Sequence, residues 1–396
     1  MLQWLIIGGG IHGAHLAIRL VTEAGVARDA LRIVDPAPRL LHRWKTLTST
    51  TGMAHLRSPA VHHLGLRPGE LQKAGGRNPG AFATPYNRPS LRLFNSHCDA
   101  VLDACGLHQC HQQARVSSVE LDDDGARVAV DDGSVFHAQN VVLAMGNSDV
   151  VERPAWAGDD DRVQHVFAPN FAGFADADDV RSIAVVGGGI SAAQVALRLM
   201  RAGHDVHLVS RHARRVHQFD SDPGWLGPKH MAAFSQTSDV NRRRQMIQQA
   251  RHRGSCPPDV DRALRRAVAD GRLQTHLADI EGLCSSVPLE VALSTSDVLC
   301  VDRVYLATGF SRRRPGGSLV DDLIAQADLP CAACGHPVVG KDLRWHPHVV
   351  VMGPLAELEL GPVARNIAGA RRAADRVIDA LQTQRRVKHP PSSMAA

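Results

Sequence analysis

The chain has 396 residues, of which 44% are hydrophobic and only 4% aromatic, and its formal net charge is +5. This length suggests two or three domains of roughly 100–200 residues each, with enough apolar side chains for sizeable cores. So few aromatic side chains offer no stacking platform to nucleic acid, and no nucleic-acid partner is expected. The eight cysteines are scattered, which is typical of a reduced cytoplasmic protein. No apolar run reaches the ~20 residues of a membrane span.

The N-terminus has the pattern of a dinucleotide-binding βαβ unit. Leu2–Ile7 is a continuous apolar run, as expected of a strand that is buried on both faces. The turn Gly8-Gly9-Gly10-Ile11-His12-Gly13 follows it directly. A helical pattern then leads to a second apolar strand, residues 31–34, which ends in Asp35. Strand, glycine turn, helix, strand and acid therefore occur in the order of a Rossmann fingerprint.

The residues of this first turn have separate tasks. Gly8 permits the tight turn, Gly10 lets the backbone approach a pyrophosphate, and Gly13 lets the helix pack closely on the strand. The N-terminus of the helix offers N–H groups and a partial positive charge to that phosphate. Asp35 lies where a carboxylate accepts hydrogen bonds from ribose hydroxyls. These features predict that the AMP half of FAD binds here.

The same pattern recurs in the middle of the chain. Ser182–Val186 is predicted as a strand, and the turn Gly187-Gly188-Gly189-Ile190-Ser191-Ala192 follows it. A helical pattern then leads to a further strand at 205–209. Ala192 replaces the third glycine, which the fingerprint tolerates. A second dinucleotide is therefore predicted at this turn.

The residues that follow the last strand of this second unit are basic, whereas the first unit ends in an acid. The last strand of the second unit is followed by Arg211, with Arg214 and Arg215 nearby, and by no acid. An arginine pairs with a 2′-phosphate, which a carboxylate would repel. The second site is therefore predicted to bind NADPH, and a hydride passing from nicotinamide to flavin explains why one chain has both sites.

The remaining segments predict how the two units are joined. Apolar strands at 140–146 and 304–309 end in small residues, which suit a crossing between domains. Alternating residues between Cys110 and His137 predict antiparallel strands. A strand at 349–352 and a helix at 361–377 are expected after the chain returns.

The predicted fold class is α/β, with two Rossmann-like dinucleotide-binding domains. The FAD domain is expected to span 1–165 and to return at 311–396, and the NADPH domain is expected to be inserted at 166–310. Only the tail after Arg385, which contains Pro390 and Pro391, is expected to fray.

One segment is more selective than the glycine turns. It reads Asp302, three residues, Leu306-Ala307-Thr308-Gly309-Phe310, four residues and Pro315. This run resembles a signature of the microbial lysine and ornithine N-hydroxylases, a group of the two-dinucleotide flavin-dependent monooxygenases. Only Phe310 departs from it, in place of a tyrosine. Asp302 itself is expected to accept from backbone N–H groups where its strand starts.

Upstream motifs extend the resemblance over nearly the whole chain. Trp44, Met53 and the run at 56–59 are similar to the family's Trp, Met and Leu-Arg-x-Pro, and the run at 86–94 is similar to a segment that enters a helix under the flavin. Ala54 stands where the family has a glutamine, and a lysine of the following turn has no counterpart. Those positions help to hold the amino-acid substrate, so the substrate stays open.

The resemblance and the fingerprints together predict the site residues. FAD is expected to contact Gly8, Gly10, Gly13, Asp35, Trp44, Met53, Val116, Gly146, Gly353, Gly361 and Asn366. NADPH is expected to contact Gly187, Gly189, Ser191, Ala192, Arg211, Thr308 and Gly309. No side chain is assigned as catalytic, because the flavin is the oxidant, but Trp44, Arg57 and Asn87 are candidates for the wall of the substrate pocket. No metal ion is expected.

A Cys-x-x-C motif permits other interpretations. Cys331 and Cys334 are followed by His336, so zinc binding or a redox pair is an alternative to a structural loop. The irregular spacing of the ligands favours the loop.

The resemblance implies an FAD-dependent, NADPH-reduced monooxygenase that transfers one oxygen from O₂ to a small nucleophilic substrate, with an amine nitrogen favoured over sulfur. Two alternatives stay open. One is an NAD(P)H-dependent flavin reductase that passes electrons to a disulfide, a quinone or a partner protein, and the other is a flavin-binding regulator without enzymatic activity. Homo-oligomerisation is also left open.

Overall fold

The computed structural model describes residues 1–388. The tail predicted to fray after Arg385 is helical as far as Lys388, and its remainder lies outside the described residues. The strands are β1 (Leu2–Ile7), β2 (Leu31–Asp35), β3 (Phe82–Ala83), β4 (Arg88–Pro89), β5 (His111–Gln113), β6 (Val116–Leu121), β7 (Ala126–Val130), β8 (Val135–Leu143), β9 (Val163–His165), β10 (Ser182–Val186), β11 (Asp205–Ser210), β12 (Arg215–Val216), β13 (Ser255–Cys256), β14 (Gln274–Leu277), β15 (Ile280–Cys284), β16 (Leu289–Leu293), β17 (Val298–Val301), β18 (Arg303–Leu306), β19 (Arg344–His346) and β20 (Val349–Val351). The α-helices are α1 (Ile11–Thr22), α2 (His42–Thr50), α3 (Glu70–Gly75), α4 (Leu91–Ala104), α5 (Ile190–Arg201), α6 (Pro228–Gln236), α7 (Val240–Ala250), α8 (Pro258–Ala269), α9 (Gly317–Ala327), α10 (Glu357–Leu360) and α11 (Ile367–Lys388).

The first sheet has the strand order β19-β20-β8-β1-β2-β5, and the hairpin β6-β7 extends from β8. Strand β1 lies at its centre and is parallel to both β2 and β8. Its last four residues are buried, and they form one core with α1 and α11, which pack together on the sheet. Because β1, β2, β8 and β20 run parallel, their carboxyl ends meet at one edge, where nucleotides bind in such sheets.

The second sheet is wholly parallel and has the order β14-β11-β10-β18-β9. Helix α5 follows β10 and packs on one face together with α8, while the antiparallel strands β15, β16 and β17 contribute to the core on the other face. The predicted fold class, two Rossmann-like domains in one chain, is confirmed.

Chain order shows that the second unit is inserted into the first. The first sheet takes strands from residues 2–143 and again from 344–351, and the second takes strands from 163–306. Val163–His165 already pairs with β18, so the chain enters the second sheet before residue 166. The exact domain boundaries near 165 and 310 stay predictions.

Two extended segments carry the chain between the sheets. Val151 and Phe310 form an antiparallel bridge, and the Glu152 N–H donates to the Gly309 carbonyl at 2.9 Å. The Asn147 side chain donates to the Ser311 carbonyl at 3.0 Å. The outgoing and returning segments are therefore held to each other, which restricts how the second unit moves relative to the first.

Arginine side chains fasten the two units together directly. The buried Arg88 forms an ion pair with Asp259 at 2.8 Å, and Arg198 donates to the carbonyls of Ser49 and Thr50 at 2.6 and 2.9 Å. A guanidinium has five N–H donors in a rigid fork, so one side chain can hold several acceptors on the opposite domain.

The helix predicted at 361–377 is corrected by the structure. Gly361 has a φ of +76°, a 3₁₀ turn covers Pro362–Arg365, Asn366 is extended, and α11 begins only at Ile367. Pro362 lies in the first turn of the short 3₁₀ segment, where its missing N–H is tolerated, and the Asn366 side chain caps α11 as a separate helix. None of the helices in the described residues combines the length and the apolar character that a bilayer crossing requires.

Candidate active site

The first glycine turn lies at the carboxyl end of β1 and has the geometry of a phosphate cradle. Gly8 has a φ of +113°, and a β-carbon there would lie 2.8 Å from the Ala144 carbonyl oxygen. A β-carbon at Gly13 would lie 1.9 Å from the Gly8 carbonyl oxygen, so only glycine fits between helix and turn. A β-carbon at Gly10 would meet no atom within 4 Å. The turn therefore leaves open space at the position where a pyrophosphate is expected.

Asp35 binds the backbone of this turn. Its two carboxylate oxygens accept from the N–H of Gly9 at 2.6 Å and from the N–H of Ala37 at 2.8 Å. An ionised carboxylate has about four acceptor positions, so acceptor capacity remains for a ribose hydroxyl. Asp35 therefore fixes the shape of the turn and can still accept a hydrogen bond from a ribose hydroxyl.

His12 is a residue whose role the sequence analysis missed. Its Nε2 donates to the carbonyl of Ala364 at 2.8 Å, and a β-carbon at Gly353 would lie 3.6 Å from its ring. Burial is the largest cause that lowers the pKa of His12 to about 4, so the imidazole is neutral. His12 thus connects the glycine turn to the segment before α11. A histidine inside the glycine motif was the available signal.

The N-terminus of α11 lies next to this segment. Asn366 accepts from the Gly369 N–H at 2.9 Å, which caps the helix. Gly361 packs against α6, since a β-carbon there would lie 3.2 Å from the sulfur of Met231. The structure therefore brings Gly353 and Asn366 to the same side of the molecule as the first glycine turn, through His12 and Ala364.

The second glycine turn repeats the arrangement at the end of β10. Gly187 has a φ of +154°, and a β-carbon there would lie 2.5 Å from the Ala307 carbonyl oxygen and 2.9 Å from Cβ of Ala192. The replacement of glycine by Ala192 is thus accommodated because Gly187 opposite has no side chain. The ring of His212 covers Gly188. A narrow cleft opens from this turn and is lined by Gly187, Gly188, Gly189, Ser210, Arg214 and Cys256, among others.

The three arginines predicted beside this cleft differ in their contacts. Arg211 is exposed, and its side chain has no hydrogen-bond or ion-pair partner within residues 1–388. Arg214 instead pairs with the buried Asp261 at 2.8 Å, and Arg215 donates to the Arg253 carbonyl at 3.1 Å. Of the three, Arg211 is therefore the one whose guanidinium is not held by protein, and its contact with a 2′-phosphate stays a prediction; support from Arg214 would require it to leave Asp261.

Several predicted flavin contacts lie around the first sheet. Trp44 donates from Nε1 to Oδ1 of Asn95 at 3.1 Å and packs at 54° to Phe94. Met53 packs against the same core, and Val116 begins β6. Gly146 is exposed, with open space around its α-carbon, on the segment that leaves β8. Their contact with flavin stays a prediction.

The proposed pocket residues have different surroundings. The guanidinium of Arg57 donates to the carbonyls of Gln218, His217 and Phe219 at 2.7, 2.7 and 2.9 Å, and to Oγ of Ser255 at 2.8 Å. All four acceptors belong to the inserted unit. Arg57 therefore joins the two domains, and its donors are committed to protein.

Asn87 lies next to this clamp. It is exposed, with a φ of +47°, and the neighbouring Tyr86 ring lies 5.0 Å from that of Phe219. The loop that carries Tyr86 and Asn87 thus reaches the same segment of the inserted domain as Arg57. This arrangement is compatible with a pocket wall at the domain junction.

Thr308 and Gly309 lie on the returning segment between the domains. Thr308 donates from its hydroxyl to the carbonyl of Glu152, and Gly309 has a φ of +93° with open space at its α-carbon. Asp302 accepts from the N–H groups of Arg181 and Ser182 at 2.9 and 2.8 Å, so it ties the start of β18 to that of β10, as expected.

Two family models match overlapping parts of the sequence. The model described as FAD-NAD(P)-binding matches residues 5–148, and the model described as pyridine nucleotide-disulphide oxidoreductase matches residues 77–255. Comparison of the sequence with curated proteins gave no match.

Solved structures match the chain over nearly its whole length. An ornithine N-hydroxylase of Kutzneria sp. 744 is 18% identical, with a TM-score of 0.75, and the match covers 97% of this chain and 100% of that one. This chain has the fold of the two-dinucleotide flavin monooxygenases. An ornithine hydroxylase of Pseudomonas aeruginosa is 17% identical, with a TM-score of 0.71 and coverage of 96% and 99%. The resemblance predicted from the motifs is confirmed at the level of the fold.

This chain is also similar in fold to a reductase. A bacillithiol disulfide reductase of Bacillus cereus is 17% identical, with a TM-score of 0.63 and coverage of 97% and 99%. The surroundings of Cys331 and Cys334 therefore bear on whether the two cysteines could act as a redox pair. Both thiols are free and exposed, and Sγ of Cys334 lies 3.6 Å from Nδ1 of His336. Burial raises the pKa of the Cys331 thiol, which opposes formation of a nucleophilic thiolate.

Proposed function

We propose that this protein is an FAD-dependent, NADPH-reduced monooxygenase that transfers one oxygen atom from O₂ to the amine nitrogen of a small substrate. The observation that carries the proposal is the pair of glycine turns, each at the carboxyl end of a central strand, in a chain that matches an ornithine N-hydroxylase from end to end. The open space at Gly10 and the unpaired Arg211 support two cofactors of different charge preference.

The described residues fit the two cofactors. Gly8, Gly10 and Gly13 would hold the pyrophosphate of FAD and Asp35 its ribose, while Gly187, Gly189, Ser191 and Ala192 would hold that of NADPH. FAD, when bound and reduced, supplies the redox chemistry with O₂. The balance is one NADPH, one proton, one O₂ and one amine converted into NADP⁺, water and a hydroxylamine. The remaining contacts proposed for FAD are Trp44, Met53, Val116, Gly146, Gly353, Gly361 and Asn366, and those for NADPH are Thr308 and Gly309.

The chain's own contribution would be positioning and exclusion of water. Arg57 and the loop of Tyr86 and Asn87 close one side of the domain junction by contacts with residues 217–219. An amine must react as the neutral base, and a desolvated pocket lowers its pKa. No acid–base pair is required, and catalytic side chains are left unassigned. The proposed location is the cytoplasm, and the proposed partners are a small molecule and O₂ rather than nucleic acid.

Measurement of NADPH oxidation and O₂ uptake tests this proposal. Purified protein with FAD should consume NADPH slowly alone and faster when the right member of a panel of amines, diamines, amino acids and sulfides is added. A product whose mass exceeds that of the substrate by one oxygen atom should accumulate in proportion to the additional NADPH consumed. A reductase would turn over only with a disulfide, quinone or protein acceptor, and a regulator would show neither reaction. Either of those results would replace the proposal.

Arg211 should set the preference for NADPH over NADH. Arg211→Ala is expected to weaken NADPH binding by about 1.5–3 kcal/mol, the scale of a hydrogen bond to a charged group, because the 2′-phosphate loses its guanidinium. NADH binding should change little. Titration of both nucleotides against the FAD-bound protein checks this.

The control is Arg201→Ala, which removes another exposed arginine, at the far end of α5. This variant should bind both nucleotides as the unmodified protein does. Equal weakening of NADPH and NADH by Arg211→Ala would show that the residue does not contact the 2′-phosphate.

A further inference from the structure

Two histidines and a glutamate converge on the side of the first domain where α3 and α4 meet. His63 comes from the loop before α3, Glu70 begins α3, and His97 lies on α4. One ligand atom of each residue can be chosen such that all three lie within 4.8 Å of one another. The His97 Nε2 and a Glu70 carboxylate oxygen are 3.8 Å apart, and the two imidazole rings are 5.2 Å apart at 79°. We call these three residues the His-Glu-His cluster.

The imidazoles of this cluster are buried without partners. His63 is 1% exposed, and neither of its ring nitrogens has a hydrogen-bond partner within the described residues. His97 is 8% exposed, and its Nδ1 is also without one. A buried polar nitrogen that makes no hydrogen bond has lost its hydration without compensation, which destabilises the fold. Buried nitrogens without partners require an explanation. One explanation is that these nitrogens are ligands of a metal ion.

The surrounding backbone lines the space that the Glu70 carboxylate occupies. A β-carbon at Gly65 would lie 1.9 Å from a Glu70 carboxylate oxygen and 3.0 Å from Cε1 of His97, so the missing side chain leaves the space that Glu70 occupies. The other Glu70 oxygen accepts from the Arg67 N–H at 2.9 Å. This second contact resembles the hydrogen bonds that orient metal-binding carboxylates.

Arg371 of α11 fixes the loop from the other side. Its guanidinium donates to the carbonyls of His63 and Gly65 at 2.8 and 2.7 Å. The positive charge of Arg371 disfavours a bound cation nearby. The negative charge of Glu70 offsets this effect.

We propose that His63, Glu70 and His97 bind a divalent transition-metal ion of the zinc class. Two imidazoles and one carboxylate are a ligand set that zinc accepts, with water in the fourth position. Ligands about 2.0–2.1 Å from a tetrahedral zinc lie about 3.3 Å apart, so the three atoms must approach by up to about 1.5 Å. Rotation of Glu70, whose side chain is 32% exposed, supplies much of that movement. The ion would tie the loop that carries His63 to α3 and α4.

Calorimetric titration of the full-length, FAD-loaded protein with ZnCl₂ tests the proposal after treatment with a chelator. One Zn²⁺ per chain should bind, and the melting temperature should rise. Glu70→Gln and His63→Gln should each weaken binding at least as much as loss of an outer hydrogen-bond partner does, about 10–100-fold. Gly65→Ala keeps all three ligands but displaces the Glu70 carboxylate, so it should weaken binding as well.

The matched control is His108→Gln, which removes an exposed histidine that pairs with Asp103 at 2.9 Å. It should bind Zn²⁺ like the unmodified protein, whereas a loss there would mean that surface histidines hold the ion. FAD content and circular dichroism establish that each variant is folded. The proposal fails if the unmodified protein binds no Zn²⁺, or if folded Glu70→Gln and Gly65→Ala both bind it with unchanged affinity. These readouts do not depend on monooxygenase activity.

Discussion

Gly10→Val should yield a folded protein that contains no flavin. Gly10 caps α1 with φ −75° and ψ −171°, an extended conformation that valine adopts readily. A β-carbon there meets no atom within 4 Å, so we expect the substitution to leave the packing of the protein itself unchanged. The branched side chain would instead fill the space where the FAD pyrophosphate approaches the turn. The ratio of flavin to protein absorbance in the purified variant measures the loss.

Gly282→Val is the matched control for this substitution. Gly282 also has open space at its α-carbon, but it lies on β15, away from both glycine turns. This variant should keep its full FAD content. By contrast, any side chain at Gly13 would strike the Gly8 carbonyl, so variants there lose fold and flavin together and cannot separate the two. Full FAD in folded Gly10→Val would disprove the assignment of the first turn.

The parts of the fold that could be predicted are those that local sequence dictates. Strands β1 and β10 have the predicted bounds, because an uninterrupted apolar run followed by a glycine turn defines both ends. The roles of Gly8 and Gly13 were also readable, since tight turns and close approaches leave glycine as their signature. The helix after Gly361 was misplaced because its pattern gave no sign that Asn366, rather than Gly361, caps it.

The parts that could not be predicted depend on contacts between distant residues. Arg57 was predicted to line the pocket, which stays a prediction, but its acceptors about 160 positions further along the chain could not be read from the sequence. Arg214 looked available for a phosphate until the structure placed Asp261 beside it. The His-Glu-His cluster escaped notice because positions 63, 70 and 97 follow no metal-binding spacing, and only the packing of α3 against α4 brings them together.

Turnover in the presence of isotopically labelled O₂ should place one labelled oxygen atom in the product, even when Cys331 and Cys334 are both replaced by serine. Under the proposed function FAD, when bound, would supply the redox chemistry between NADPH and O₂, so no thiol is required. The structure supports this expectation. Burial raises the pKa of Cys331, and burial also lowers the pKa of His336 to about 4, so a neutral imidazole faces Cys334. Arg314 lies near Cys331 and acts in the opposite direction, but burial has the larger effect on the pKa of that thiol.

The double serine variant should therefore keep its rate of NADPH oxidation, its O₂ uptake and the label in its product. Serine is close to cysteine in size, and Cys331 and Cys334 are exposed, so the effect on stability should stay within about 0.5 kcal/mol. The comparison discriminates because a disulfide reductase of this fold behaves oppositely if it uses the pair: the variant would lose all turnover with a disulfide acceptor. If no label reaches any product and the double variant loses NADPH turnover with such an acceptor, electron transfer through the cysteines replaces oxygen transfer as the function of this chain.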